Sequence, residues 1–415
     1  MLDLRQIRED PEPARAALAR RGLDPAALDE ALELDDRRRA LLPELEDLRR
    51  RKNEASKRIG ELQRTGADAS EAIAEVRGVS AREKTLEEEL RSVEGRRSAA
   101  LELLPNLPDE TAPVEDEVLR EEGQGGTPGR SHVELLGSYL DLESAARVAG
   151  SRFVYLKGPL VRLELALVQW AISLLDDKGF TPVVPPVLVR EPALFGTGFL
   201  PDTEQQIYRI PDDDLYLVGT SEVPLASLHS GEILAAGDLP RRYAGFSSCF
   251  RREAGAAGKD TQGIFRVHQF DKVEMFAFVE PEESRAEHER LLAVEEEILG
   301  ALGIPYRVVN IAANDLGASA AKKYDLEAWL PGQERFRELT SCSNTTDFQA
   351  RRLDIRYRPA EGQAPRHVHT LNGTAVAVGR TIIAIVENHQ REDGTVSIPP
   401  LLHPYGAPEV IEADA

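Results

Sequence analysis

The chain has 415 residues, with 51 Lys and Arg against 72 Asp and Glu and a formal net charge of −21; this excludes a generic nucleic-acid coat but leaves room for a local basic surface. No apolar run of about 18 residues occurs, so no membrane-spanning helix is expected, and the N-terminus, MLDLRQIRED, is charged and lacks an apolar signal segment. Two cysteines, Cys249 and Cys342, make neither a disulfide framework nor a zinc cluster, so a reduced cytoplasmic protein of two or more domains is expected.

Residues 1–104 read as helical. Leu34, Leu41, Leu48, Ala55 and Leu62 recur at heptad spacing, with Leu45 and Ile59 between them. After a polar break at Thr65-Gly66-Ala67-Asp68, Val79, Leu86, Val93 and Ala100 repeat the pattern, with Val76, Leu90 and Leu104 interleaved. Two such helices predict an antiparallel coiled-coil arm. Arg38, Lys52, Glu83 and Arg97 interrupt its seam, and the heptads leave the register open. Its basic residues, Arg37, Arg38, Arg49, Arg50, Arg51, Lys52, Arg58 and Arg64, read either as solvating charges or as a ligand surface.

From Pro105 the texture turns to Pro, Gly and acid without an apolar period, which predicts a linker over 105–130. The body, 131–415, opens with a short helix ending at Gly150, a strand over Arg152–Leu156 and a helix over Leu160–Leu175. A strand then runs from Gly179 into Pro185-Pro186. Leu215–Gly219 reads as a strand leading to Thr220-Ser221-Glu222, where a hydroxyl can cap a helix from Pro224. Cys249–Phe278 reads as two strands around a glycine-studded loop, Gly255–Gly263; alternation puts Arg266, Lys272 and Glu274 among charges on the sheet. That face is either solvated or a binding floor. Gly255–Asp260 lacks the spacing of a phosphate-binding Walker loop. Residues 283–302 form an amphipathic helix. In Glu334–Ser343, Glu338 and Ser341 are hard oxygen donors three residues apart. Finally, Gly379-Arg380 stands at a strand-to-helix joint. His268, His367, His369 and His403 show no metal-binding pattern.

Phe250-Arg251-Arg252-Glu253-Ala254-Gly255 through Arg266, His268-Gln269-Phe270 and Lys272-Val273-Glu274 closely resembles motif 2 of class II aminoacyl-tRNA synthetases, in the form found in the seryl enzymes. The helix, strand and prolines of 160–186 are similar to motif 1, and Gly379-Arg380 to motif 3. With the Thr-x-Glu at 220–222, the Glu-x-x-Ser at 338–341 and the arm, the resemblance covers nearly the whole chain. It implies an α+β catalytic domain, a class II synthetase antiparallel sheet flanked by helices, with an N-terminal antiparallel α-helical coiled-coil arm. It also implies a homodimer joined at motif 1.

The activity implied is serine–tRNA ligation: L-serine is activated with ATP, then transferred to the 3′ end of tRNA(Ser) and of tRNA(Sec). The resemblance assigns Arg251 and Arg380 as catalytic, and Thr220, Ser221, Glu222, Arg251, Glu274, Asn372 and Thr374 to serine. ATP falls to Arg251, Arg252, Glu253, Val267, Phe270, Glu338, Leu339, Thr340, Ser341 and Arg380, and Mg²⁺ carried with ATP to Glu338 and Ser341; no zinc is expected. Residues 252–262 would guide the tRNA end, and the basic residues of 37–64 would hold the tRNA's long arm. A class II amino-acid:carrier-protein ligase and a non-enzymatic RNA-binding homologue are the alternatives.

Overall fold

In the computed structural model, which describes residues 1–201, 206–254 and 263–412, the heptad residues close one helix pair. After helices α1 (Leu4–Glu9) and α2 (Glu12–Arg20), α3 (Ala26–Thr65) and α4 (Ser70–Leu103) run for 40 and 34 residues. Leu34, Leu41, Leu45 and Leu48 bury against Val79, Leu86 and Val93. The polar seam residues are complementary: Lys52 Nζ lies 2.6 Å from Glu83, and Arg97 Nε 2.8 Å from Asp35. Glu30–Arg96, Arg37–Glu89 and Glu44–Arg82 pair at heptad steps that ascend α3 and descend α4. These pairings decide the register that the leucines leave open, since any heptad shift keeps apolar residues on apolar residues but separates the charges. Pro43 lies inside α3 without ending it, at an exposed position flanked by the buried Leu41 and Leu45.

The chain divides into two compact units, Leu2–Leu104 and Pro105–Ala415. The expected linker is more than a tether: β1 (Glu117–Glu122) pairs along Tyr306–Asn310 as an edge strand. Every residue of this strand is exposed, so the segment has no apolar alternation by which to be recognised.

In the second unit, α5 (Pro159–Asp177) leads to β2 (Thr181–Val183), and a short α6 (Glu222–Ser227) precedes β3 (Arg241–Phe250) and β4 (Gln269–Val279). Helix α7 (Ser284–Ala301), β5 (Tyr306–Asn310), β6 (Lys322–Leu330), β7 (Arg335–Asn344), α8 (Phe348–Leu353), β8 (His369–Ala377) and α9 (Val378–Asn388) follow. The sheet order is β1-β5-β6-β7-β8-β4-β3-β2, antiparallel except for the β2–β3 pair. Val273, Met275, Ala277 and Val279 of β4 join a core with apolar residues of α5, α7 and α9 on one sheet face. The alternate residues Phe270, Lys272 and Glu274 therefore turn to the other face.

Three local expectations shift. The strand expected over Arg152–Leu156 is reduced to Tyr155–Leu156, because Arg152 turns the chain at φ 64° and its carbonyl accepts the His268 N–H. Helix α6 starts at Glu222, and Ser221 makes no capping bond; Thr220 Oγ1 instead accepts the Glu222 N–H at 3.1 Å. Helix α9 begins at Val378, so Gly379-Arg380 occupies its first turn.

Candidate active site

The second sheet face, covered at the Phe276–Phe278 end of β4 by α6 and α8, forms one wall of a cavity of about 380 Å³. Two register breaks shape that wall. Between β6 and β7, Leu326 faces Thr340 while Glu327 faces Glu338, leaving Leu339 as a bulge. Between β4 and β8, Val273 faces Val376 while Glu274 faces Thr374, leaving Ala375 as a second. Each extra residue reverses the alternation, so groups three apart share a face.

At one end of the cavity lies a cluster of buried polar groups. Thr220 Oγ1 accepts from Lys272 Nζ at 2.7 Å, and Lys272 pairs with the Glu274 carboxylate. Glu222 Oε1 accepts from Gln349 Nε2 at 2.8 Å and from Asn372 Nδ2 at 2.9 Å. Gly245 stands opposite Glu274 on β3, and a Cβ there would lie 2.7 Å from Leu225 of α6. Its bareness lets α6 sit on the sheet and brings Glu222 beside Glu274. Burial, with Glu274 nearby, raises the Glu222 carboxyl to about 7. Burial likewise raises Glu274, although Lys272 opposes it.

The other end is cationic. Arg251 donates through Nε to Gly219 O at 3.2 Å, and its guanidinium lies 5.4 Å from the Phe270 ring. Arg380 Nη1 donates to the Glu338 carbonyl at 2.9 Å and lies 3.4 Å from its carboxylate. Burial alone would raise the Glu338 carboxyl; Arg380, Lys323 and Arg251 overcome it and hold it below its ordinary range. Burial lowers the Arg380 pKa, Glu338 opposes this, and the Arg251 and Arg266 charges add to the lowering. Arg380 also stands in the first turn of α9, so helix dipole and guanidinium both favour an anion.

Thr220, Glu222, Arg251, Glu253, Val267, Phe270, Glu274, Glu338, Leu339, Thr340, Ser341, Asn372, Thr374 and Arg380 all line this cavity. Two expected members do not. Ser221 is fully buried and its hydroxyl meets Ser247 Oγ at 2.8 Å, because the turn into α6 points it at β3. Arg252 is exposed, held by its backbone N–H to Gln206 O. Thr340 contributes backbone, since its hydroxyl donates behind the sheet to Glu295 at 2.8 Å. Glu253, at φ 49°, pairs with Arg266 at 2.6 Å. The tip of the expected tRNA-guiding loop, residues 255–262, lies outside the described residues.

Lys272, Lys323 and Phe265 also line the cavity, although the motifs assign them no role. Strand alternation with Glu274 carried the signal for Lys272. Nothing local marked Gln349, whose helix α8 reaches Glu222 only through the fold.

On the arm, most of the expected RNA-binding cations meet carboxylates. Arg37 pairs with Glu89, Arg38 with Glu94, Arg49 with Glu87, Arg50 with Asp47, Lys52 with Glu83 and Arg58 with Glu75. Arg64 Nε donates to Gly60 O at 3.2 Å. Arg51 is exposed, with no ion pair among the described residues.

A mainly antiparallel sheet that bears one arginine just past β3 and another in the first turn of the closing helix α9 is the arrangement of a class II synthetase core. Accordingly, the family model "tRNA synthetase class II core domain (G, H, P, S and T)" matches residues 206–389. The "Seryl-tRNA synthetase N-terminal domain" matches residues 1–108. The serine–tRNA ligase of Acidothermus cellulolyticus is 50% identical, and that of Thermobifida fusca 49%, each over 99% of both chains. The crystal structure of seryl-tRNA synthetase from Pyrococcus horikoshii complexed with ATP superposes with a TM-score of 0.95 at 44% identity, covering all of both chains. The chain belongs to the seryl-tRNA synthetase family.

Proposed function

We infer that this protein activates L-serine with ATP to seryl-adenylate and pyrophosphate, then transfers serine to the 3′ end of tRNA(Ser), and of tRNA(Sec) as well. One observation carries the reading: a single cavity holds a buried hydroxyl–carboxylate cluster at one end and two arginines, Arg251 and Arg380, at the other. The A. cellulolyticus and T. fusca relatives are named serine–tRNA ligases, and the P. horikoshii structure contains ATP.

A serine carboxylate is already ionised at neutral pH, so its oxygen attacks the α-phosphorus without a general base. The bond to the β-phosphate oxygen breaks and pyrophosphate leaves. Catalysis then lies in alignment and charge neutralisation. Arg251 would span the carboxylate and α-phosphate, and Arg380 would take the γ-phosphate. Glu222 and Thr220 would hold the ammonium, while Glu274 and Thr374 bond the hydroxyl. Phe270 would stack on the adenine beside Val267, with Glu253 and the 338–341 backbone at the nucleotide's edge. Glu338 and Ser341 offer two hard oxygens on one face, and Glu338 is held ionised, a donor set that suits Mg²⁺. Bound with ATP, the ion would neutralise phosphate charge. In the second step the terminal 3′-hydroxyl of tRNA attacks the seryl carbonyl and AMP leaves.

The arm would grip RNA through phosphate contact and shape. Its exposed ion pairs are weak and exchangeable for phosphates. The assignment of 1–104 to tRNA binding, 105–130 to a linker and 131–415 to catalysis belongs to the same reading. A homodimer is supported by apolar side chains left exposed on α5, Val161 at 40% and Leu165 at 57%. A reducing cytoplasm suits the two buried free cysteines, and among the described residues no helix is long and apolar enough to cross a membrane.

The decisive experiment supplies purified protein with ATP, Mg²⁺, labelled serine and bulk tRNA. Label in an acid-precipitable, base-labile tRNA ester supports the reading. Serine-dependent pyrophosphate exchange without charging points to a carrier-protein ligase, and neither signal to a non-enzymatic homologue.

A further inference from the structure

One buried network stands outside the residues assigned to substrate yet is bonded to the cavity wall. His132 is 4% exposed at the start of a short helix, His132–Leu136. Its Nδ1 lies 2.8 Å from Glu387 Oε1, and its backbone N–H donates to the same oxygen at 3.0 Å. Glu387 Oε2 accepts the Gly332 N–H at 2.9 Å. The ring's other nitrogen, Nε2, accepts the Ile264 N–H at 3.3 Å. An amide donor at Nε2 and a carboxylate at Nδ1 select one tautomer, with the proton on Nδ1. The neighbouring Gly263 has φ 69°, and a Cβ there would fall 1.9 Å from His132 Nε2. A side chain at 263 would therefore push the imidazole off the chain it holds.

The held segment runs directly into the cavity wall, where Ile264 and Phe265 are lining residues. The Phe265 ring centroid lies 4.7 Å from the Arg380 guanidinium carbon and 3.9 Å from that of Arg337, within cation–π range. Arg380 and Glu387 belong to the first and last turns of α9. The contacts thus close a ring: from Glu387 through His132 to Ile264, along the backbone to Phe265, and from its π-face to Arg380 on the same helix.

We propose that His132 is a positioning residue for the nucleotide end of the site. Suspended from Glu387, it sets the height of the Gly263–Phe265 limb, and the Phe265 ring in turn fixes the Arg380 guanidinium. This rests on the assignment of the Arg380 end to ATP phosphates. The role predicts selectivity: loosening the ring weakens ATP use and spares serine, whose groups lie on Thr220, Glu222 and β4.

The test is serine-dependent ATP–pyrophosphate exchange by the full-length protein, with KM for ATP and for serine measured separately. His132→Gln keeps an oxygen near the place of Nε2; His132→Asn is too short to reach Ile264. His132→Asn is expected to raise the ATP KM about tenfold while the serine KM stays within about twofold, and His132→Gln to recover most of the loss. Phe265→Leu leaves the imidazole network intact and removes the ring; it is expected to give the same ATP-selective rise, and it carries the test if His132→Asn does not fold. Equal rises in both KM values, no recovery in His132→Gln, or an unchanged ATP KM in Phe265→Leu would overturn the proposal. Absence of serine-dependent exchange in the unaltered protein would instead overturn the functional reading on which it rests.

Discussion

Glu338 and Ser341 stand three residues apart on one β-strand, yet both line the same cavity. In a regular strand they would face opposite ways. The bulge at Leu339 turns Glu338 to the side of Ser341, while Thr340 and its bond to Glu295 remain behind the sheet. A one-residue irregularity thus gathers two hard oxygens where nucleotide phosphates are proposed to lie.

If these oxygens serve an ATP-bound cation, Glu338→Ala should cut serine-dependent pyrophosphate exchange by about 100-fold and raise the Mg²⁺ concentration for half-maximal rate. Ser341→Ala should act in the same direction, by about tenfold. A Mg²⁺ titration of each variant checks this. An unchanged Mg²⁺ midpoint in Glu338→Ala would remove the metal assignment.

The Glu222 carboxyl, raised to about 7 by burial and by Glu274, holds a proton below that pH when no serine is bound. A serine ammonium needs its ionised form. Lys272 and Arg251 favour that form, and the expected outcome is a serine KM that falls between about pH 6 and about pH 8 while the ATP KM stays level. Glu222→Gln should flatten the profile at a high KM. The same raised pKa stabilises the serine-free fold at low pH and loses that contribution as pH rises through about 7. The melting temperature of the unaltered protein should therefore fall relative to that of Glu222→Gln as pH rises towards about 7. Parallel melting curves across this window would count against a raised carboxyl at 222.

Selection of serine requires groups that would be left unpaired by alanine. Glu274 is 1% exposed and shares its carboxylate with Lys272 and Thr220, so Glu274→Ala should lower serine activation by about 10³-fold. Thr374→Ala should mainly erode discrimination against alanine, by about tenfold. Exchange rates with serine and with alanine measure both. Wild-type-like activation by Glu274→Ala would exclude it from the pocket.

Removing about residues 30–100 and rejoining the chain with a short linker should abolish tRNA charging while pyrophosphate exchange stays within about threefold, because the cavity is built wholly from residues of the second unit. Normal charging by this deletion would deny the arm its RNA role. A finer test is Arg51, exposed and without an ion pair among the described residues: Arg51→Ala should reduce the salt dependence of tRNA binding by about one phosphate contact.

Much of the protein could be read from residues near one another in the chain. The heptads from Leu34 to Leu104 specify a helix pair because helix and seam both follow local periodicity. The run from Phe250 to Glu274 marks the cavity wall because β4 carries Phe270, Lys272 and Glu274 at alternate positions. Serial order then placed Thr220, Glu338 and Arg380 in one site. Ser221 and Arg252 share those runs yet turn elsewhere, since membership in a motif does not determine where a side chain points.

Tertiary structure decided what depends on partners distant in sequence. The bulges at Leu339 and Ala375 arise where strands of different register meet. The raised carboxyl of Glu222 comes from burial beside Glu274, with Gln349 reaching it from α8. The exposed strand Glu117–Glu122 exists only because Tyr306–Asn310 offers it backbone hydrogen bonds. His132 binds the limb at Ile264 across 132 positions of chain. Periodicity and motif order are properties of neighbouring residues and survive in the sequence alone. Burial, charge pairing and strand register are set by which segments meet, and they come into being only when the chain has folded.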